Sequence, residues 1–175
     1  MLKKAFRFII NAFRFIGKPC YVHLLCVNVS TTVGISKKGT FYVGRRFRTR
    51  KNVEINVRDN AEICIGNDVF FNTGCIIVAR ECIEIGDGTI FGPYVQIIDH
   101  DHEFSQGEVL ENSFSTSSIV IGSHCWIGAG TIILKGTVLG DHCIVGAGSI
   151  LKGKYSDNSI IIQKRNTINK RQECP

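Results

Sequence analysis

No C-x-x-C occurs among the eight cysteines of this 175-residue chain, and no Cys/His pair has zinc-finger spacing. The common zinc modules are excluded on that ground. Proline occurs three times and methionine once, so no proline-rich linker divides the chain, which reads as one domain with short appendages. No apolar run is long and uncharged enough to span a bilayer. The nearest candidate, Met1 to Lys18 (MLKKAFRFIINAFRFIGK), is interrupted by Arg7 and Arg14, which also excludes a secretory signal. Much of the net charge of +6 sits at the two ends. Without a basic stripe along the body, a nucleic-acid-binding face is not expected.

What the sequence has is a repeat. From Ile119 to Lys152 it reads IVIGSHCWIGAGTIILKGTVLGDHCIVGAGSILK, with Ile121, Ile127, Ile133, Leu139, Val145 and Leu151 recurring every sixth residue. Gly follows at 122, 128, 140 and 146, and a compact residue stands four places after the aliphatic at Cys125, Thr131, Thr137, Cys143 and Ser149. A helix repeats at 3.6 residues and a strand at two. A period of six implies a parallel β-solenoid whose triangular coils each consume three hexads. Cys75 shares the compact position with Cys125 and Cys143, so these thiols read as small buried hydrophobes, free and reduced in a cytosolic setting.

The rest of the chain falls into place around that block. Residues 1–18, taken as a helix, gather Leu2, Phe6, Ile9, Ile10, Phe13 and Ile16 on one face and basic residues on another. Such a helix suits either peripheral attachment to an anionic membrane surface or packing on the solenoid or a neighbouring subunit. The expected location is cytoplasmic, with the inner face of the membrane as its possible anchorage. The solenoid is expected over residues 19–163 and a basic tail over 164–175. Arg45, Arg46, Arg48, Arg50 and Lys51 alternate as a solvated face. Residues 99–118 (DHDHEFSQGEVLENSFSTSS) carry no hexads, and a long loop that interrupts a regular solenoid is usually functional. It holds a dense titratable set: Asp99, His100, Asp101, His102 and Glu103. A histidine there suits general-base work near neutral pH.

The hexads, the Gly92-Pro93-Tyr94-Val95 segment and the histidine-bearing insertion together resemble the left-handed β-helix hexapeptide-repeat acyltransferases, in the sugar O-acetyltransferase branch. The fold class this implies is all-β, a single left-handed parallel β-helix with one long inserted loop. The resemblance implies a homotrimer that moves an acetyl group from acetyl-CoA to a hydroxyl of a sugar or polysaccharide precursor, with no metal. The catalytic histidine of the family lies a few residues past a G/A-P-x-V segment, and the gapless match lands on His102, with His100 as the alternative. Asn72 matches a residue that holds substrate or the developing oxyanion, and it also suits a corner turn. Asp99 and Asp101 flank the histidines as candidate acceptor contacts. Where some relatives carry an acid, this chain has Arg80.

The coenzyme groove of the family maps onto Trp126, Gly128, Ala129, Gly146, Ala147 and Lys152. Lys164 and Arg165 stand where relatives have a Gly-Asn-Pro-Ala-like turn, as candidate phosphate partners. Two other activities stay open: N-acetyl transfer to an amino sugar, and a metalloenzyme like the γ-class carbonic anhydrases, which share the fold. The stacked corner positions of His124 and His142 raise the metal question, but no His pair here has the four-residue spacing that class uses. A catalytically silent scaffold is the remaining alternative, and the histidine-bearing insertion argues against it.

Overall fold

The computed structural model describes residues 27–164 together with the Cys20–Tyr21 strand. The expected helix of residues 1–18 and the tail from Arg165 onward lie outside the described residues. The described residues form three parallel sheets of seven, six and six strands, and a separate antiparallel pair. The chain visits the three sheets in turn: Thr32–Ile35, Thr40–Val43 and Arg48–Thr49 lie one in each, and Glu54–Val57 returns to pair with Thr32–Ile35. This is the expected parallel β-helix, a three-sided prism. No helix among the described residues is long and apolar enough to cross a membrane.

The hexad explains each side of the prism. Its aliphatic and its compact residue both point inward: Ile121, Ile127, Ile133, Leu139, Val145 and Leu151 are buried, as are Cys125, Thr131, Thr137, Cys143 and Ser149. Stacking is in register, with Ile85 against Ile121 and Ile121 against Leu139 on one face, and Phe91 against Ile127 and Ile127 against Val145 on another. Each such aliphatic stabilises by about 1.5–3 kcal/mol when fully buried. Larger cores in the early coils use aromatics, Phe71 stacking on Phe91 at 4.3 Å between ring centroids. The inward hydroxyls are paired, Thr89 donating to the Gly122 carbonyl at 2.8 Å and Ser149 to that of Gly146 at 2.7 Å. Cys75 and Cys125 are buried free thiols, and burial pushes each up to about 11.

Corners make the other half of the hexad. After the aliphatic comes a glycine, because the next coil's backbone runs against it: a Cβ on Gly122 would lie 2.5 Å from the Gly140 carbonyl carbon. At several corners the next position supplies Asn or Asp, whose Oδ1 accepts the backbone N–H of the coil below. Asn67 takes that of Arg45 at 2.9 Å, Asp87 that of Asn67 at 2.6 Å, and Asp141 that of Ser123 at 2.6 Å. The third corner residue is left-handed, with Arg46, Asp68, His124, His142 and Asn158 all between φ 56° and 60°. The basic run Arg45, Arg46, Arg48, Arg50 and Lys51 is exposed, as expected, and Arg46 pairs with Asp68.

The inserted segment is not an irregular loop. It is a hairpin of His100–Ser105 with Glu108–Thr116, antiparallel, with a register shift between His102 and Glu103. Gln106 and Gly107 both take positive φ, 53° and 85°, as a tight two-residue primed turn requires. The solenoid resumes beyond it without loss of register, Ile97 stacking on Ile133.

Glycines that share a hexad position differ in the room above them. Gly122→Ala is expected to destabilise by about 1–3 kcal/mol through forced displacement of the next coil. Gly146→Ala, whose added Cβ would come no nearer than 3.4 Å to another atom, is expected to shift stability little. Urea unfolding midpoints of the two variants check this.

Candidate functional site

The hairpin leaves the prism at the edge that follows Gln96–Ile98, and Asp99 roots it there. Asp99 is fully buried. Its carboxylate accepts the backbone N–H of Arg80 at 2.8 and 3.0 Å and of Glu81 at 2.7 Å, both from the preceding coil. A third contact comes from His100, whose Nδ1 lies 3.0 Å from Asp99 Oδ1. A carboxylate with no exposure is tolerable in a solenoid because these donors replace its hydration. The far end of the hairpin is fastened beside it: Ser117 donates its N–H to the Asp99 carbonyl at 3.0 Å, and Ser118 Oγ donates to Glu81 at 2.6 Å. The Ser118 hydroxyl, with that of Thr116, holds the Glu81 carboxyl below its ordinary value.

Phe114 gathers two imidazole rings and a guanidinium. The His102 ring lies 4.5 Å from its centroid, the His100 ring 5.6 Å away and edge-on at 80°, and the Arg80 guanidinium carbon 3.3 Å from its centroid. The two histidines are then oriented differently. His100, with 13% of its side chain exposed, turns inward to Asp99. His102 is exposed, and its Nδ1 lies 3.3 Å from the Leu110 carbonyl across the hairpin. A carbonyl only accepts, so Nδ1 carries the hydrogen, and the neutral ring then offers the lone pair of Nε2. His102 lines a cleft of about 510 Å³ with Asp101, Glu103, Ser115 and Lys135. Lys135 ties the cleft together, bonding to Asp101 at 3.1 Å and donating to Ser115 Oγ at 2.7 Å.

Asn72 stands on a different edge, between Phe70–Phe71 and Ile76–Ala79. It is half-buried, and its Oδ1 accepts the Thr73 N–H at 2.8 Å, the local corner contact that the sequence reading left open. Along that same edge run Gly92, Gly128 and Gly146, joined coil to coil by backbone bonds of 2.8 Å, with Ala129 and Ala147 exposed beside them. Gly128 has a packing reason of its own, since a Cβ there would meet the Ala147 nitrogen at 2.5 Å. Trp126 is 57% exposed on the neighbouring face, in a ladder with Ile90 and Ile144. Lys152 lies elsewhere, after Ile150–Leu151 on the edge that carries the hairpin. Lys164 is exposed at the end of the described chain and Arg165 is outside it.

Thus one chain brings His100, His102, Asp99 and Asp101 together and keeps them apart from Asn72 and the small-residue edge. His124 and His142 stack at 5.2 Å between ring centroids. Among the described residues no three His, Cys, Asp or Glu side chains are grouped to hold a metal ion. Sequence reading passed over Phe114 and Lys135. The only trace of Phe114 is an aromatic amid serines, and Lys135 sits at an outward hexad position where any polar residue is unremarked.

Residues 118–153 match the bacterial transferase hexapeptide (six repeats) model. The chain is 42% identical over 74 residues to nodulation protein L of Rhizobium leguminosarum bv. viciae, which covers 42% of this chain and 39% of that protein. It spans about two fifths of the length of the first curated relatives it matches. It is also 25% identical over 157 residues to the putative lipopolysaccharide biosynthesis O-acetyl transferase WbbJ of Escherichia coli (strain K12), covering 85% of this chain and 74% of that one. Among solved structures, a single-substitution mutant of AntD of Bacillus cereus, an N-acyltransferase, in complex with coenzyme A and dTDP-4-amino-4,6-dideoxyglucose, superposes with a TM-score of 0.71. Its identity is 18%, with 83% of this chain and 80% of that one covered. That likeness concerns the fold.

Asp99→Ala would remove the acceptor of the Arg80 and Glu81 N–H groups, at about 1–3 kcal/mol in all. The expected result is faster hydrogen exchange at the Arg80 and Glu81 amides and a lower melting temperature, with exchange in the Ile144–Val145 coil unchanged.

Proposed function

We propose that this hexapeptide-repeat protein is an acetyl-CoA-dependent O-acetyltransferase acting on a sugar or polysaccharide precursor. The observation that carries the reading is the exposed His102 in the hairpin cleft, with Nδ1 bonded to the Leu110 carbonyl and Nε2 left as a base. In the proposed reaction Nε2 takes the proton of the acceptor hydroxyl as its oxygen attacks the thioester carbonyl. The C–S bond then breaks, and the proton passes from His102 to the leaving thiolate. Asp101, held by Lys135, lines the same cleft. Asp99 and His100 position the base of the hairpin. The WbbJ likeness, which covers most of both chains, supports an O-linked sugar acceptor, and a cytoplasmic location would give access to acetyl-CoA.

The donor is read onto the edge of small residues. Exposed Ala129 and Ala147, with Gly130 open above its Cα, leave backbone accessible to an extended pantetheine arm. Asn72 lies on that edge and the base on another, so a complete site requires a second copy. Three parallel prisms supply such clefts, and a homotrimer is the assembly we propose. Sedimentation velocity is expected to return a species three times the 19.4 kDa chain; a monomer that still turns over would overturn the shared site.

Free coenzyme A, separated by chromatography so that the protein's own thiols do not interfere, is expected to accumulate with acetyl-CoA and a hydroxyl sugar. An acceptor panel with amino sugars decides between O- and N-transfer. His102→Ala is expected to lower kcat by about 10²- to 10⁴-fold with KM for acetyl-CoA unchanged. Full activity in that variant, with loss in His100→Ala, would move the base to His100.

A further inference from the structure

Arg80 is poorly satisfied for a guanidinium set into a folded edge. Its Nε is buried without a hydrogen-bond partner, and among the described residues neither Arg80 nor Arg58 has a carboxylate within ion-pair distance. The adjacent acid, Asp99, is already engaged by two backbone N–H groups and by His100. Val57 and Ala79 are register partners, and the Arg58 N–H donates to the Ala79 carbonyl at 3.0 Å. Arg58 and Arg80 therefore follow one another on neighbouring coils of the same edge. Burial, and then the Arg58 charge, pull the Arg80 guanidinium below its ordinary value, and the Asp99 charge offsets part of that. Arg58 is exposed on the coil next to Arg80, and a dianion bridging two neighbouring cations is favoured by both charges. A guanidinium fork matches phosphoryl oxygens in geometry, and an ammonium does not.

The position of the pair gives it a role. Arg80 and His102 touch the same Phe114 ring, so an anion on Arg80 and a hydroxyl at His102 are within the reach of one small saccharide. We infer that the acceptor carries a phosphoryl group next to the sugar that is acetylated, and that Arg80 and Arg58 hold that group beside Phe114. This rests on the acetyltransferase reading of the cleft and narrows its acceptor class. A neutral sugar would bring no charge to Arg80 and Arg58, and selectivity follows from that difference.

The test uses the full chain. Glucose is compared with glucose 1-phosphate, and glucuronic acid serves as the carboxylate counterpart, each with acetyl-CoA. Pyrophosphate binding is measured separately by calorimetry. The phosphorylated acceptor is expected to show a KM at least ten-fold lower than glucose. Arg80→Gln and Arg58→Gln are each expected to raise that KM and weaken pyrophosphate at least five-fold, with Arg58→Gln leaving KM for acetyl-CoA and for glucose as in the wild type. Arg46→Gln, on another edge and paired with Asp68, is expected to change neither. Should Arg80→Gln fail to fold through loss of its Phe114 contact, Arg58→Gln decides. Unchanged KM and pyrophosphate affinity in Arg58→Gln would overturn the inference, as would a preference for glucose, and a preference for glucuronic acid would overturn the phosphoryl assignment. Wild-type protein that binds pyrophosphate through Arg58 and Arg80 but releases no coenzyme A with any acceptor would overturn the acetyl-transfer reading and uphold the anion site.

Discussion

Everything in this molecule depends on one coil lying directly on the next. The backbone ladder requires it, and the corners set the terms. Gly44, Gly66, Gly86, Gly122 and Gly140 stand where a Cβ would collide with the neighbouring coil, and an Asn or Asp beside several of them caps the backbone of the coil below. These contacts hold the spacing at which inward aliphatics meet without voids. A hexad is the shortest unit that provides an inward aliphatic, a tight corner and an inward compact residue in succession.

The hairpin is compatible with this order because Asp99 satisfies both sides of the break. Its carboxylate replaces the contacts that Arg80 and Glu81 would otherwise lack, and its carbonyl receives Ser117 as the chain returns. The same buried group fixes His100, so the stability of the prism edge and the geometry of the candidate site share a single residue. Phe114 extends that arrangement outward, giving Arg80, His100 and His102 a common surface. The hairpin supplies the wall of the His102 cleft.

The inward positions, the burial of Cys75, Cys125 and Cys143, and the solvated basic run were legible because each is a local consequence of period and side-chain size. The insertion was legible only as a departure from that period. Its polar composition gave it away, but the alternation within it is weak, and Gln106-Gly107 is a quieter turn signal than Asn-Gly. The histidine pair could be picked out by chemistry, whereas the difference between them could not: His100 and His102 are two residues apart, and only the partners across the hairpin and in the preceding coil tell them apart. Asn72 was read both as a site residue and as a corner, and its bond to Thr73 is the corner contact.

Sequence by itself determined the parallel β-helix, its hexad register from Ile121 to Leu151 and the place where it breaks, because a repeat of short-range sterics repeats its answer in every coil. Tertiary structure decided which side chains meet at that break. Arg80, Asp99, Phe114 and Lys135 belong to different coils or to the hairpin, and no local period relates them. Their meeting depends on how far each coil advances before it closes on the last, a property of the stacked prism that no single hexad contains.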